Sequence, residues 1–168
     1  AAGISPGSVW LQSFNLDDVL HWVEKAPLYG RQAVFLDGRN PEELAGTPPR
    51  EQEFFDLKGM GINIIAPPMA TLLTVRQGKI VPSEYARRAR KAGLDIISWT
   101  TERSGRLEPG GGGFYYSTVR DALKNDGDIL RVIDVLAQDV GIIGLFSDWP
   151  ATTTFYANCK DIPVLEAR

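Results

Sequence analysis

Short apolar runs alternate with amphipathic segments along most of the chain. The apolar runs occupy residues 9–14, 32–38, 61–68, 94–99 and 142–150, and each is rich in Val, Ile, Leu or Phe. Continuous apolar runs of this length are typical of strands in a parallel sheet, where both faces of each strand are covered. The pattern therefore predicts about five parallel strands.

Helical periodicity follows several of these runs. In residues 15–26 apolar side chains recur at i, i+3, i+4 and i+7, and Asn15 is placed to cap the helix. Residues 83–92 and 128–141 are also predicted to be helical, and residues 151–159 begin a closing helix. The positions predicted to face the core are Leu16, Val19, Leu20, Val23, Tyr85, Ala86, Ala89, Ala92, Ile129, Val132, Ile133 and Leu136. Residues 39–52 are polar and Pro-rich, so we interpret them as a surface excursion. Strands that alternate with helices predict one α/β domain over residues 1–168.

Composition and charge exclude several classes of function. The chain has 168 residues and a net charge of −3, with no basic stripe, which argues against tight nucleic-acid binding. No apolar run approaches the length of a membrane span. The single cysteine, Cys159, cannot form an internal disulfide and does not fix the compartment.

Three segments resemble the C-terminal part of the glycerophosphodiester phosphodiesterase family. WLQSF resembles a mid-barrel strand that ends in Ser-Phe, here Ser13 and Phe14. AGLDIISWTTE resembles the penultimate strand, which ends in Trp-Thr, here Trp99 and Thr100. GIIGLFSDWPATTTFY resembles the last strand, with Ser in place of Thr before Asp148. The three segments occur in the family's order and spacing, which together is specific.

The resemblance implies the C-terminal portion of a TIM (β/α)8 barrel, with about five parallel strands and covering helices. The family hydrolyses glycerophosphodiesters to glycerol 3-phosphate and an alcohol. It uses a divalent cation, calcium or magnesium, together with catalytic histidines. The family's His-Arg-Gly motif, its second catalytic His and its metal-binding acidic residues lie upstream of the matched region and are absent here. We therefore expect a fragment that contributes no catalytic residue and no metal ligand, and that is inactive alone.

The resemblance also indicates which residues contact the substrate. TIM barrels place their chemistry at the C-terminal ends of the strands. Trp99 and Phe14 stand at two such ends, and we expect both to make apolar contact with the substrate or with the lid. The alternative for Trp99 is that its ring only fills the core. Ser13 is a third candidate for substrate binding, with the alternative that its hydroxyl only caps the following helix. The Gly-rich loop after Trp99 is interpreted as a flexible lid over the site.

Other residues that could act as catalytic groups or ligands are given a structural interpretation. His21, the single histidine, falls off the apolar stripe of its helix and is not a catalytic candidate. Asp148 is placed to meet a metal or a substrate hydroxyl, but fixing the following turn by an Asx-type hydrogen bond is favoured. Residues 125–128 (NDGD) lack the carboxylate spacing of an EF-hand and are interpreted as a turn. The segment PGGGG is not followed by the Lys-Ser/Thr pair of a nucleotide-binding loop.

Two functions from different classes follow. The first is part of a phosphodiesterase that takes a small glycerophosphodiester and is completed by its N-terminal half or by a second copy. The alternative is a non-catalytic binding module, or an inert fragment, that keeps only half of the barrel. An unrelated α/β domain is a third option, which the three ordered matches disfavour. Long polar loops after the strands resemble those of periplasmic or secreted family members, so we expect an exported protein.

Overall fold

A parallel sheet forms the centre of the molecule. The computed structural model describes residues 3–163, and the single-domain prediction for residues 1–168 extends beyond this range at both ends. The strands are β1 (Gln12–Ser13), β2 (Val34–Leu36), β3 (Ile64–Ala66), β4 (Leu73–Arg76), β5 (Lys79–Pro82), β6 (Asp95–Ser98) and β7 (Gly144–Leu145). Within residues 3–163, five of them form the main sheet in the order β1-β2-β3-β6-β7, and every neighbouring pair is parallel. The α/β class and the number of parallel strands are thus confirmed.

Helices connect these strands. They are α1 (Leu16–Lys25), α2 (Pro27–Gly30), α3 (Pro41–Gly46), α4 (Glu51–Gly59), α5 (Met69–Leu72), α6 (Glu84–Lys91), α7 (Asp128–Asp134) and α8 (Pro150–Cys159). A π-helical segment, Val135–Val140, continues α7, and short 3-10 turns occur at Pro6–Ser8, Phe114–Tyr116 and Arg120–Ala122.

The start of α1 is capped as the sequence predicts, and α6 begins in the same way. The side chain of Asn15 accepts a hydrogen bond from the N–H of Asp17, and that of Ser83 accepts one from the N–H of Ala86. Such caps satisfy backbone donors that lack a partner within the helix. All twelve positions predicted to face the core are buried or half-buried. The helical stripes in the sequence therefore identify the sides that meet the sheet.

Apolar side chains form two clusters, one on each face of the sheet. The larger cluster joins the helices to outward-facing strand residues such as Ile65 and Ile96. The smaller cluster lies on the opposite, inner face and consists of residues in or next to the strands, namely Val34, Leu36, Ile64, Ala66, Ile97, Trp99 and Ile143. In the described part of the chain, helices thus pack on the outer face, while the inner face carries only this thin layer.

A buried polar network fixes the chain after β2. The Asp37 carboxylate accepts three hydrogen bonds from the guanidinium of Arg39 and one of 2.7 Å from the hydroxyl of Tyr85. Burial alone would raise the pKa of Asp37, but these donors outweigh it and hold the pKa below its usual value. Burial, together with the charge of Asp37, raises the pKa of Tyr85. The network ties β2 to α6 through ionised Asp37.

Two sequence-based expectations need correction, and one element was missed. The first strand is not a buried run over residues 9–14. It is the short β1 at the edge of the sheet, with alternate positions exposed, because an edge strand has a neighbour on one side only. Residues 39–52 are not only a surface excursion, because they include α3, whose Pro41 and Leu44 are buried. The antiparallel hairpin of β4 and β5 was not predicted at all.

Candidate functional site

A pocket of about 240 Å³ opens where the chain leaves β1, β6 and β7. Its walls are Gln12, Phe14, Leu36, Trp99, Thr100, Arg103, Tyr115, Phe146, Ser147 and Asp148. Because all strands of the main sheet are parallel, their C-terminal ends meet at one edge, and several of these residues directly follow a strand. Pockets at this edge of a parallel sheet are the usual ligand sites of α/β proteins.

Trp99 forms the centre of the aromatic wall. Its indole N–H donates a 2.7 Å hydrogen bond to the carbonyl oxygen of Ala66, which fixes the orientation of the ring. The ring of Phe14 meets it edge to face at a centroid distance of 6.0 Å, and the ring of Tyr115 at 5.9 Å. The interplanar angles are 89° and 76°. Aromatic side chains from three separate segments therefore line one pocket.

The loop after β6 brings Tyr115 to this wall. Leu107 is buried within the loop, and its N–H donates to the side chain of Asp126. Tyr116 is fully buried, and its hydroxyl donates to the carbonyl oxygen of Thr101. Burial also raises the pKa of the Tyr116 hydroxyl, which therefore stays protonated as a donor. These contacts anchor both ends of the Gly-rich segment and position Tyr115.

An ion pair also lines the pocket. The guanidinium of Arg103 donates two 2.9 Å hydrogen bonds to the carboxylate of Asp148. This pairing lowers the pKa of Asp148 and raises that of Arg103. Glu102 accepts hydrogen bonds from the hydroxyl of Ser147 and from the N–H of Asp148. The rim is thus a connected set of one guanidinium and two carboxylates.

The structure brings two of the three predicted substrate-binding residues together. Trp99 and Phe14 both line the pocket, whereas Ser13 does not. The Ser13 hydroxyl donates to Asp18 at 2.8 Å and accepts the N–H of Asn15 at 3.0 Å. Its contacts are therefore those of a residue that organises the start of α1. Substrate contact by any of the three stays a prediction.

The other singled-out residues have the following positions. His21 is exposed on α1 and lies outside the pocket. Asp148 does not make the expected Asx-type bond, because Arg103 holds its carboxylate; the Ser147 hydroxyl accepts the N–H of Trp149 instead. Asp128 begins α7 and accepts two backbone N–H groups, which makes the NDGD segment a helix-starting turn.

Sequence reasoning missed Arg103, Tyr115 and Phe146 as pocket residues. Arg103 and Tyr115 lie in a loop with no periodic pattern, so their proximity to Trp99 depends on long-range contacts. Phe146 directly follows β7 and was identifiable by the same argument that selected Phe14, since both follow a strand of the main sheet.

The described residues do not suit a divalent cation. No group of three or more His, Cys, Asp or Glu side chains in residues 3–163 is placed to hold a metal ion. At the pocket, Asp148 and Glu102 are already engaged by Arg103, Ser147 and a backbone N–H. Binding of calcium or magnesium by residues outside this chain stays a prediction.

The fold and the pocket define an α/β protein with an aromatic-lined pocket at the C-terminal edge of a parallel sheet. No family model matches the chain. The chain is 49% identical over 165 residues to a protein named "Extracellular protein" from Arthroderma benhamiae. The matched region covers 96% of this chain and 67% of that protein. The chain belongs to the same family as this extracellular protein.

The relative's name fits the expectation that this chain is exported. Every helix within residues 3–163 is too short or too polar to cross a membrane.

Proposed function

We propose that the chain is the C-terminal portion of a glycerophosphodiester phosphodiesterase barrel and supplies part of its substrate pocket. The observation that carries this proposal is the meeting of Trp99 and Phe14 in one pocket. These are the two residues that the family resemblance assigns to the substrate, and they follow strands that are not neighbours in the sheet. The parent protein would cleave glycerophosphodiesters to glycerol 3-phosphate and an alcohol.

The sheet topology supports a partial TIM barrel. In a doubly wound sheet the strand order reverses at a switch point, and helices cover both faces. Here the main-sheet strands follow one another in chain order, and the described helices pack on the outer face. Sequential parallel strands with helices outside are the arrangement of a (β/α)8 barrel, which needs eight strands to close. Preceding strands of the parent protein, or a second copy, would then cover the inner face.

Arg103 would contribute to recognition of the phosphate. A guanidinium pairs with two phosphate oxygens through parallel hydrogen bonds, and Arg103 already makes such a fork with Asp148. Its side chain is 65% exposed, so it is accessible from solvent. Trp99 and Phe14 would supply apolar contact beside it. The acid, the base and the cation would come from residues outside this chain.

Two measurements test the proposal. The protein is purified from its natural source, and the intact mass of each polypeptide is measured under denaturing conditions. The masses show whether this chain is accompanied by, or continuous with, a segment that contains His-Arg-Gly. Release of glycerol 3-phosphate from glycerophosphocholine is then measured for the 168-residue chain and for the native protein, with calcium or magnesium and with a chelator. We expect metal-dependent release from the native protein and none from the chain alone. A native protein that contains the motif and releases nothing would reject the proposal.

A non-catalytic binding module is the second candidate. The observation that favours it is the state of the pocket carboxylates. Glu102 and Asp148 are both held by hydrogen bonds within the site, which leaves neither poised to move a proton. A native protein that lacks His-Arg-Gly and binds a ligand in this pocket without turnover would establish this function instead. In either case we propose that the protein is secreted.

A further inference from the structure

A second cavity lies between the β4–β5 hairpin and the helices α7 and α8. Its volume is about 460 Å³, within the range of about 300 to 1,000 Å³ that small-molecule sites occupy. One side of this hairpin cavity is apolar and is formed by Ile80, Leu130, Val135 and Phe155. Phe155 is 59% exposed, so part of this side faces solvent. The hairpin cavity therefore offers an apolar surface that a ligand can cover.

The hairpin cavity is separate from the aromatic-lined pocket. No residue lines both, and no residue of the hairpin cavity belongs to the inner-face cluster. Its walls come from the hairpin and from two helices, and the described helices pack on the outer face of the sheet. Association of the chain through its inner face therefore does not require this cavity to close.

Charged side chains complete the lining, and most of them are cations. Among the described residues that line the hairpin cavity, the charged side chains are Lys79, Arg131, Lys160 and Asp134. Lys160 pairs with Asp134 at 2.9 Å and, with a hydrogen bond from Tyr156, holds the pKa of this carboxyl below its usual value. Arg131 pairs with Asp128, which is buried outside the lining. The two pairs cancel, and Lys79 adds one positive charge to a chain whose net charge is −3.

The charge of Lys79 is not neutralised by a neighbour. Within residues 3–163 its ammonium group has no ion-pair or hydrogen-bond partner. Arg76 lies directly opposite Lys79 in the hairpin and is a second cation without a partner among these residues. Side chains of directly opposite residues lie on the same face of a strand pair, and like charges there repel each other. An anion bound beside Lys79 would relieve this repulsion.

Arg131 supplies further hydrogen-bond donors to the cavity. Its Nη1 donates to Asp128 and to the carbonyl oxygen of Ala122, whereas no other described residue accepts from its Nε or Nη2. The side chain is 50% exposed. A guanidinium has five N–H donors in a fork that matches a carboxylate, so Arg131 can bind one while it keeps Asp128.

These charges and surfaces together restrict the class of ligand. The unpaired positive charge disfavours a cationic ligand, and a purely apolar ligand would cover Lys79 without accepting its hydrogen bonds. A phosphate monoester carries about 1.5 to 2 negative charges near neutral pH. A carboxylate carries one negative charge, which equals the one positive charge that remains at the cavity. An apolar body attached to that carboxylate would cover the wall opposite.

We propose that the hairpin cavity binds a small amphiphilic carboxylate, a molecule with one carboxylate group and an apolar body. The carboxylate lies beside Lys79 and Arg131, and the apolar body covers the wall that includes Phe155. This site does not depend on the proposed phosphodiesterase function, because it shares no residue with the aromatic-lined pocket.

The test compares octanoate with two analogues that each lack one half of the proposed ligand. Octan-1-ol keeps the chain without the charge, and acetate keeps the charge without the chain. Each is titrated by isothermal calorimetry into the 168-residue chain and into the native protein. We expect octanoate to bind at least about tenfold more tightly than either analogue. Charge-assisted hydrogen bonds contribute about tenfold or more, and each buried methylene about threefold to fourfold.

A charge variant locates the carboxylate. Lys79→Gln should weaken octanoate binding by about threefold or more, since it removes a charged donor. It should not lower the thermal midpoint of the unliganded chain, because it also removes the repulsion from Arg76. Lys25→Gln is the control, because it removes the same charge from α1, outside the cavity. Octanoate affinity of this control should stay within about twofold of that of the unaltered chain, since exposed distant charges are screened.

An apolar variant locates the body of the ligand. Phe155→Ala should weaken octanoate binding by about threefold or more and leave acetate binding unchanged, because it removes apolar surface only. Phe55→Ala is the control, since Phe55 is also exposed but lies on α4, outside the cavity. Thermal unfolding identifies any variant that fails to fold.

Several results would overturn the proposal. One is equal affinity of the chain for octanoate and either analogue, and another is no binding of octanoate at all. Unchanged octanoate affinity in the folded Lys79→Gln and Phe155→Ala variants would mean that octanoate binds elsewhere. Octanoate that binds the 168-residue chain but not the native protein would mean that another part of the protein covers the cavity. A native protein without phosphodiesterase activity would leave this site unaffected.

Discussion

Phe14 and Trp99 meet edge to face at 6.0 Å, although β2 and β3 lie between the strands that they follow. Three strand spacings in a flat sheet amount to about 14 Å. The two side chains therefore lean toward each other over the ends of β2 and β3. This approach is what a concave inner face permits, and it makes one pocket from two distant strand ends.

We expect Arg103→Lys to weaken the binding of glycerol 3-phosphate by about tenfold. Lysine keeps the charge but cannot form two parallel hydrogen bonds to phosphate. Calorimetry on the 168-residue chain measures the effect. Arg106→Lys is the control, because Arg106 lies in the same loop, is 81% exposed and pairs with Asp126 away from the pocket.

Asp148→Asn should act in the opposite direction and tighten the binding of glycerol 3-phosphate. The Asp148 carboxylate holds both arms of the Arg103 guanidinium and competes with a phosphate for them. The same titration measures the change. The affinity of the variant for glycerol 3-phosphate should depend more strongly on salt concentration, because the rim becomes less negative. Weaker binding of glycerol 3-phosphate to this variant would contradict the proposal that Arg103 binds the phosphate.

Asp37 should make the stability of the chain depend on pH in acid. Its pKa is lowered in the folded state, so the folded chain binds fewer protons than the unfolded chain in this range. The contribution is therefore complete above about pH 4 and is lost as the pH falls through the folded-state pKa. Urea unfolding between about pH 3 and 5 measures the slope of unfolding free energy against pH.

Two variants separate the contributions of Asp37 and Tyr85 to the unfolding free energy. Asp37→Asn should lower the unfolding free energy near neutral pH by about 2 to 3 kcal/mol and flatten the acid slope, since hydrogen bonds to a charged group are lost. Tyr85→Phe keeps the carboxylate and should cost about 1 kcal/mol. An unchanged slope in Asp37→Asn would contradict the role assigned to this residue.

Gly30→Ala should destabilise the chain by about 3 kcal/mol. An added Cβ at Gly30 would lie 2.4 Å from the carbonyl oxygen of Trp22 and 2.5 Å from Cα of Val23, so the backbone of α1 would have to move. Gly46→Ala is the matched control, because its Cβ meets nothing within 4 Å. That change should be neutral or stabilising by up to about 1 kcal/mol. Equal thermal midpoints for the two variants would contradict the packing of α1 on α2.

We predict that the chain associates, either with the preceding segment of its parent protein or with a second copy. The inner-face cluster of Val34, Leu36, Ile64, Ala66, Ile97, Trp99 and Ile143 has no helix packed on it in the described residues. Light scattering on the purified 168-residue chain measures its mass in solution. A monomer that unfolds cooperatively would count against the half-barrel interpretation.

Local patterns in the sequence were sufficient to predict α1, α6 and the number of parallel strands, although not the short, half-exposed form of β1. Val19 and Ala89 are fully buried where the helical periodicity places them. The β4–β5 hairpin escaped notice because its turn is Gln77-Gly78, with φ angles of 51° and 72°. Positive φ at both positions is the two-residue hairpin geometry, but the usual sequence signal for it is Asn-Gly or Asp-Gly.

The pocket was predictable only in part. Trp99 and Phe14 are visible as aromatic residues that follow apolar runs. Tyr115 reaches them because Leu107 and Tyr116 are buried and anchor the loop, and these are contacts between distant segments that no local pattern encodes. The ion pair of Arg103 with Asp148 likewise joins the segments after β6 and β7.

Within residues 3–163, the main sheet begins at β1 and finishes at β7, and each of these strands has a sheet neighbour on one side only. One complementing polypeptide would have to pair with both at once to close a ring. Such a closure is all-or-none, because a strand added at one end leaves the other still open. Under the proposed half-barrel, assembly with a complementing polypeptide would therefore be a single cooperative event with no stable half-closed form.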